Sequence, residues 1–198
     1  MTTKRPLSDA PQVAITSLAD LTDWLSAHHT QGTGVWLIHP KKASPDYIPF
    51  GKIVDELLCW GWIDSLSRSK DDLRTMHYIA PRNPASNWSR VNKDKIARLE
   101  ATDRLRAPGR AMIASAKARG TWTALDDVEN GVTPDDLTRA LEQDDLRPAW
   151  DALPRSVRRG ALEILFNAKR AATRAKKIDE ICTALRAGSY PFQWVGKS

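Results

Sequence analysis

The chain has 198 residues, of which 41% are hydrophobic and 27% charged, an ordinary composition with enough apolar material for one buried core. Its two cysteines, Cys59 and Cys182, exclude a disulfide framework, and neither belongs to a metal-ligand spacing. No apolar run approaches the roughly 18–20 residues of a membrane-spanning helix, and no apolar segment of the kind a signal peptide needs follows Lys4-Arg5, so a cytoplasmic protein is expected.

In chain order, residues 1–15 carry no periodic pattern and read as a flexible leader. Leu18, Leu21, Trp24 and Leu25 then recur at helical spacing behind Ser17, a plausible N-cap. Gly32-Thr-Gly closes that helix, and Val35–His39 is a short apolar strand. Lys41-Lys-Ala-Ser-Pro-Asp is loop chemistry. Phe50–Trp60 reads as a helix with Ile53, Val54, Leu57 and Leu58 on one face, stopped by Gly61. Trp62–Ser67 and Arg74–Ala80 read as two hairpin strands around a charged turn, Arg68–Asp72.

From Asn87 onward the pattern is helical, over about 88–101, 108–119, 134–142, 148–153 and 156–186, with a break near Ala171. Thr133 precedes Pro134 as an N-cap before a first-turn proline. The fold expected is therefore α+β: a small N-terminal mixed or antiparallel sheet with covering helices, then a mainly helical C-terminal half. The domain plan is a leader over 1–15 and one domain over 16–198, with an α+β part at 16–86 and a helical part at 87–198.

The net charge of +6 has an address. Arg155–Arg186 holds nine basic and three acidic residues, which is the whole excess. Such a stretch is either a phosphate-contacting patch or a solvated helix face.

Four local patterns carry a resemblance. They are Trp36 followed by Lys41-Lys42; Cys59-Trp-Gly-Trp-Ile-Asp64; Pro81-Arg-Asn-Pro-Ala-Ser-Asn-Trp-Ser89 with Asn92; and Ala168-Lys-Arg-Ala-Ala-Thr-Arg174, with a weaker fifth at Ala116–Trp122. In this order, from about residue 20 to 187, the sequence resembles the YdeI/OmpD-associated (bacteriocin-protection) family. That resemblance implies tolerance of antimicrobial peptides or bacteriocins and association with an outer-membrane porin. It supplies no reaction. It places the motif residues Trp36, Lys41, Trp62, Ser86 and Lys169 in the candidate ligand-binding set.

The residues themselves add to that set. On a helix opening at Trp88, a stripe of Trp88, Val91, Ile96 and Leu99 encloses Asn92 and Lys95. A buried Asn needs partners, either the backbone of the Arg82–Ser86 loop or a ligand. Ser86 or Asn87 can cap that helix, and its open N–H groups favour an anion. Arg82 offers a bidentate fork for carboxylate or phosphate, or else pairs with Asp64. Asp64, on a strand face between Trp62 and Leu66, needs a cationic partner or a raised pKa, as a general base or an ion-pair member would. Arg174 stands one turn ahead of the stripe Ile178, Ile181, Cys182 and Leu185, where it snorkels outward or enters a pocket.

There is no Walker loop, no dinucleotide fingerprint, no Gly-x-Ser-x-Gly and no His-Glu-x-x-His, and the four histidines show no metal-ligand spacing. No cofactor or metal is expected. Three readings follow. The first is a stress-protection protein binding a small molecule or peptide through Asp64, Arg82, Asn87, Trp88, Asn92 and Arg174. The second is a cofactor-independent enzyme with Asp64 as acid/base and Arg82 holding an anion. The third, placed last, is nucleic-acid binding through Arg155–Arg186.

Overall fold

The computed structural model describes residues 7–192. The expected leader over 1–15 therefore lies outside the described residues for its first six positions. The chain divides into two compact units, residues 1–123 and 124–198.

Unit 1 opens with a short 3₁₀ turn, Leu7–Asp9, and a strand β1 (Gln12–Ala14) inside the segment expected as a leader. Then come α1 (Leu18–His28), β2 (Val35–Pro40), α2 (Phe50–Cys59), β3 (Trp62–Ser69), β4 (Arg74–Pro81), α3 (Arg90–Ala101) and α4 (Ala107–Ala118). The four strands form one mixed sheet in the order β1-β2-β4-β3. β1 runs parallel to β2, and the other pairs are antiparallel. The Ser17 N-cap is present as a full capping box with Asp20, whose carboxylate accepts from the Thr16 and Ser17 backbone and is held at a pKa of about 2.

Register sorts the sheet into two faces. Val35, Leu37, Trp62 and Ile79 pack against Leu21, Leu25, Ile53 and Leu57. Trp36, Tyr78 and Arg68 turn the other way, with the Trp36 and Tyr78 rings edge to face. The next residues of α2, Val54 and Leu58, pack on a second cluster with Trp88, Ile96, Leu99, Leu105 and Ile113. Helix α2 is thus covered on two sides, and every residue from Ile53 to Cys59 is buried, Asp55 and Glu56 included. Their charges are matched: Lys95 Nζ lies 2.6 Å from Asp55, and Arg104 lies 2.9 Å from Glu56, which also accepts from the Trp60 indole. Helix α4 crosses close to the end of α2 at Gly109, where a Cβ would lie 2.4 Å from the Cys59 carbonyl oxygen.

Two local expectations change here. Helix α3 begins at Arg90, and its cap is Ser89, whose hydroxyl accepts from the Asn92 N–H. Ser86 and Asn87 do not cap it. The Trp88 N–H is already bonded to the Thr121 carbonyl, which holds Trp88 outside the helix. Val91 consequently leaves the apolar stripe and is 66% exposed.

Unit 2 consists of α5 (Asp126–Asn130), α6 (Asp135–Gln143), α7 (Arg147–Asp151), α8 (Arg155–Asn167) and α9 (Ala171–Arg186). They close around Leu137, Leu141, Trp150, Leu165 and Ile181, all essentially without exposure. Thr133 does not cap α6. Its hydroxyl accepts from the Trp150 indole N–H at 3.1 Å, and Pro134 takes the cap position. The break expected near Ala171 falls at residues 168–170, between α8 and α9. The protein is α+β, with a mainly helical C-terminal half.

Candidate functional site

The residues singled out by the sequence fall into separate places. Arg82 is only 5% exposed. One Nη donates to the Asn87 carbonyl at 2.5 Å, the guanidinium lies 4.0 Å over the Trp88 ring, and the buried Nε has no partner. Burial holds its pKa below the usual arginine value. The expected alternative, an Arg82–Asp64 bridge, is not formed. Asp64 pairs with Ile79 across the sheet and shares its face, whereas Arg82 reaches Trp88 in the other cluster.

Nearby, the Ser86 N–H donates to the Asn83 carbonyl, and Asn92 is half-buried behind the Ser89 cap. Trp36 is buried on the face opposite Trp62, and its indole N–H donates to the Leu7 carbonyl at 2.7 Å. Lys41 ties the end of β2 to the β3–β4 turn, donating to Ser69 Oγ at 3.0 Å and to the Asp71 carbonyl at 2.5 Å.

In unit 2, Lys169 lies 4.0 Å over the Phe166 ring. Arg174 forks onto Asp136 at 2.5 and 2.9 Å and donates to the Leu165 carbonyl at 2.8 Å. That pairing lowers the Asp136 pKa and raises that of Arg174. Arg174 also lines a cavity of about 140 Å³ with Asp127, Val128, Leu162 and Phe166.

What surrounds Asp64 was not visible in the sequence. His77, on the same sheet face, is raised in proton affinity by Asp64, although burial wins and its net pKa is lowered. His77 Nδ1 lies 2.9 Å from His39 Nε2, and both rings stack near Phe50. The Pro40 carbonyl, 3.2 Å from His39 Nδ1, only accepts, so that nitrogen carries hydrogen. In the neutral pair His39 Nε2 is then the acceptor, and His77 Nδ1–H the donor. His77 Nε2 is left as the basic lone pair. A bulge in β3 between Asp64 and Ser67 lies alongside.

Unit 1 holds a cleft of about 450 Å³ at the carboxyl ends of β1 and β2. Its apolar lining comes from Ile15, Ile38, Pro40 and Leu73. Asp46, Asp71, Asp72 and Arg74 supply the charges. Asp71 and Arg74 are spent on each other at 2.6 Å, and Asp71 also caps the turn N–H groups. Asp46 and Asp72 are exposed and have no ion-pair partner among the described residues. This cleft is built from the 41–46 loop and the 68–72 turn, segments that the sequence marked only as loop chemistry. Their meeting is a tertiary fact that neither segment signals. Burial pushes the Cys59 thiol up to about 11, which disfavours the thiolate.

Residues 13–112, just over half of the chain, match the model of the family described as Domain of unknown function (DUF8412). The chain belongs to this family. The matched span covers the whole sheet, the cleft, the histidine pair and Arg82. A second model, described as Bacteriocin-protection, YdeI or OmpD-Associated, matches residues 130–188. The resemblance read from the sequence is thereby supported, but over the C-terminal part only. Its Ala168–Arg174 pattern falls inside that match, while the patterns from Trp36 to Asn92 fall in the first family's span. No curated protein and no solved structure matches the chain.

Proposed function

We propose that the protein is a binding protein, and that the cleft of unit 1 takes a cationic, partly apolar group such as a lysine- or arginine-bearing peptide segment. The observation that carries this reading is the composition of the cleft. Its volume of about 450 Å³ lies within the usual range for ligand sites, its floor is apolar, and its rim holds two carboxylates, Asp46 and Asp72, that pair with no cation among the described residues. The lining carries three carboxylates against one guanidinium, so a positive ligand is favoured and a negative one repelled. A role in tolerance of a bacteriocin, the activity named in the description matched by residues 130–188, is compatible with a peptide ligand.

The enzyme reading has less support, because Asp64 lies on the sheet face of Ile79 whereas Arg82 stacks over Trp88, and the two do not pair. The nucleic-acid reading also has less. Of the nine basic residues in Arg155–Arg186, four carry a close carboxylate partner, Arg159, Arg174, Lys177 and Arg186, and Arg158 touches Asp151 only loosely at 3.7 Å.

The test is a titration of the isotope-labelled protein with a short peptide containing lysine and leucine. Amide shifts are expected at Ser44, Asp46, Asp72 and Leu73, weakening as salt rises. The Asp46→Asn/Asp72→Asn double variant should bind about tenfold or more weakly, and a glutamate-for-lysine peptide should not bind. Shifts elsewhere in the chain, or unchanged affinity in the double variant, would overturn the proposal.

A further inference from the structure

The first turns of α8 place Arg155, Arg158 and Arg159 on one side at helical spacing, facing the end of α5 and Gly131. Together they line a cavity of about 120 Å³ that also includes Glu129. Charge bookkeeping singles this cavity out. Its lining holds three guanidiniums and one carboxylate. Arg159 uses its two terminal nitrogens on Glu129 and Glu163, at 2.8 and 2.9 Å. Arg155 reaches only the Glu129 carbonyl, at 3.3 Å, and pairs with no carboxylate among the described residues. Arg158 has a loose contact with Asp151 at 3.7 Å, and its Nε–H, shut off from solvent, has no acceptor among the described residues. Two forks are therefore underused beside a small space.

We infer that unit 2 binds a single oxyanion group, inorganic phosphate or the phosphate of a phosphomonoester, between Arg155 and Arg158. The size argues for one such group. At about 120 Å³ the cavity has room for one tetrahedral oxyanion. The donor chemistry argues for phosphate over carboxylate. Two guanidiniums at one small site present more N–H groups than two carboxylate oxygens satisfy, and planar forks match phosphate oxygens bidentately. The neighbouring Arg159 is held by Glu129 and Glu163, which fixes the wall on that side. The site lies within the segment matched by the bacteriocin-protection model and is independent of the cleft in unit 1.

The experiment titrates the full chain with inorganic phosphate at constant ionic strength, following the Arg158 Nε–H and Gly131 amide signals. Saturable shifts of both are expected. The Arg155→Gln/Arg158→Gln variant should bind about tenfold or more weakly, while Arg170→Gln, an exposed cation outside the cavity, should bind as the wild type does. A parallel titration with glycerol 3-phosphate separates the sources: tighter binding than phosphate identifies an ester as the ligand, weaker binding the free ion. The inference is overturned if the signals do not saturate, if chloride or acetate moves them equally, or if the double variant, unfolding at an unchanged temperature, keeps wild-type affinity.

Discussion

His39 Nε2 accepts a hydrogen bond from His77 Nδ1 at 2.9 Å, and this contact, together with that of His39 Nδ1 to the Pro40 carbonyl, fixes the protonation pattern of both rings. It also fixes a pH dependence. Burial lowers the pKa of each ring below 6.5, with the neighbouring charge adding to the effect at His39 and Asp64 opposing it at His77. The unfolded chain then binds protons that the folded chain refuses. Stability rises with pH through this window, and is lost as pH falls from about 6.5 toward the lowered values. Urea unfolding followed at about pH 7.5 and about pH 5.5 should show the loss, and His39→Leu should reduce it. The same pair predicts that, in the neutral protein, nitrogen NMR finds His77 Nε2 unprotonated. A proton on that atom at neutral pH would refute the assigned tautomers.

Gly109 and Gly160 should respond in opposite directions to alanine. At Gly109 the new methyl would meet the Cys59 and Leu58 carbonyl oxygens at 2.4 and 2.8 Å, both backbone atoms that cannot swing aside. Helices α2 and α4 would have to separate, at a cost of about 1–3 kcal/mol. Gly160 lies inside α8 with nothing within 4 Å of the new methyl, so alanine there should stabilise the protein by about 0.5–1 kcal/mol. Thermal or chemical denaturation of the two variants checks both signs.

These two glycines illustrate what was legible in the sequence. Periodicity and punctuation located α1, α2 and the β3–β4 hairpin closely, because Ser17, Gly61 and the Leu/Ile spacing act within a few residues. Strand β1, at three residues, is too short to show a period, and α5 has a single apolar residue, Val128, and so no spacing to read. Trp88 was placed inside α3 because its apolar character fits the stripe. Only its bond to Thr121, thirty-three positions away, shows otherwise. The candidate site suffered most. Asp64, Arg82 and Trp36 all read as polar or aromatic residues beside apolar runs, but a strand's two-residue period sends Asp64 and Trp36 to opposite faces once the register is known, and Arg82 lies past the end of β4. His39 and His77 are thirty-eight positions apart, and only the pairing of β2 with β4 joins them.

The buried pair Asp55–Lys95 should behave as a unit. Both side chains are largely buried, and the only other cation paired with Asp55 among the described residues is Arg98 at 3.7 Å. Lys95→Met should leave the carboxylate poorly compensated and cost about 3 kcal/mol. The Asp55→Leu/Lys95→Met double variant should recover much of that loss, since two apolar side chains of similar volume need no partner in this place. A double-mutant cycle in urea measures the coupling, and simple additivity would show that the pair contributes nothing as a pair.

Arg82 should be far more replaceable than its burial suggests. A structural arginine at 5% exposure would ordinarily fork onto a carboxylate, whereas this one makes a single backbone hydrogen bond, covers Trp88 and leaves Nε without an acceptor. Methionine keeps the apolar stem over the indole and removes the desolvated charge. The bond to the Asn87 carbonyl is lost, but so is the cost of the orphaned N–H, and the two are of similar size at about 1 kcal/mol each. Arg82→Met is therefore expected to unfold within about 1 kcal/mol of the wild type, while Trp88→Ala, which empties a core position 2% exposed, should cost about 3–5 kcal/mol. A large loss in Arg82→Met would show that the guanidinium braces the loop at residues 82–87, and would place Arg82 among the structural residues.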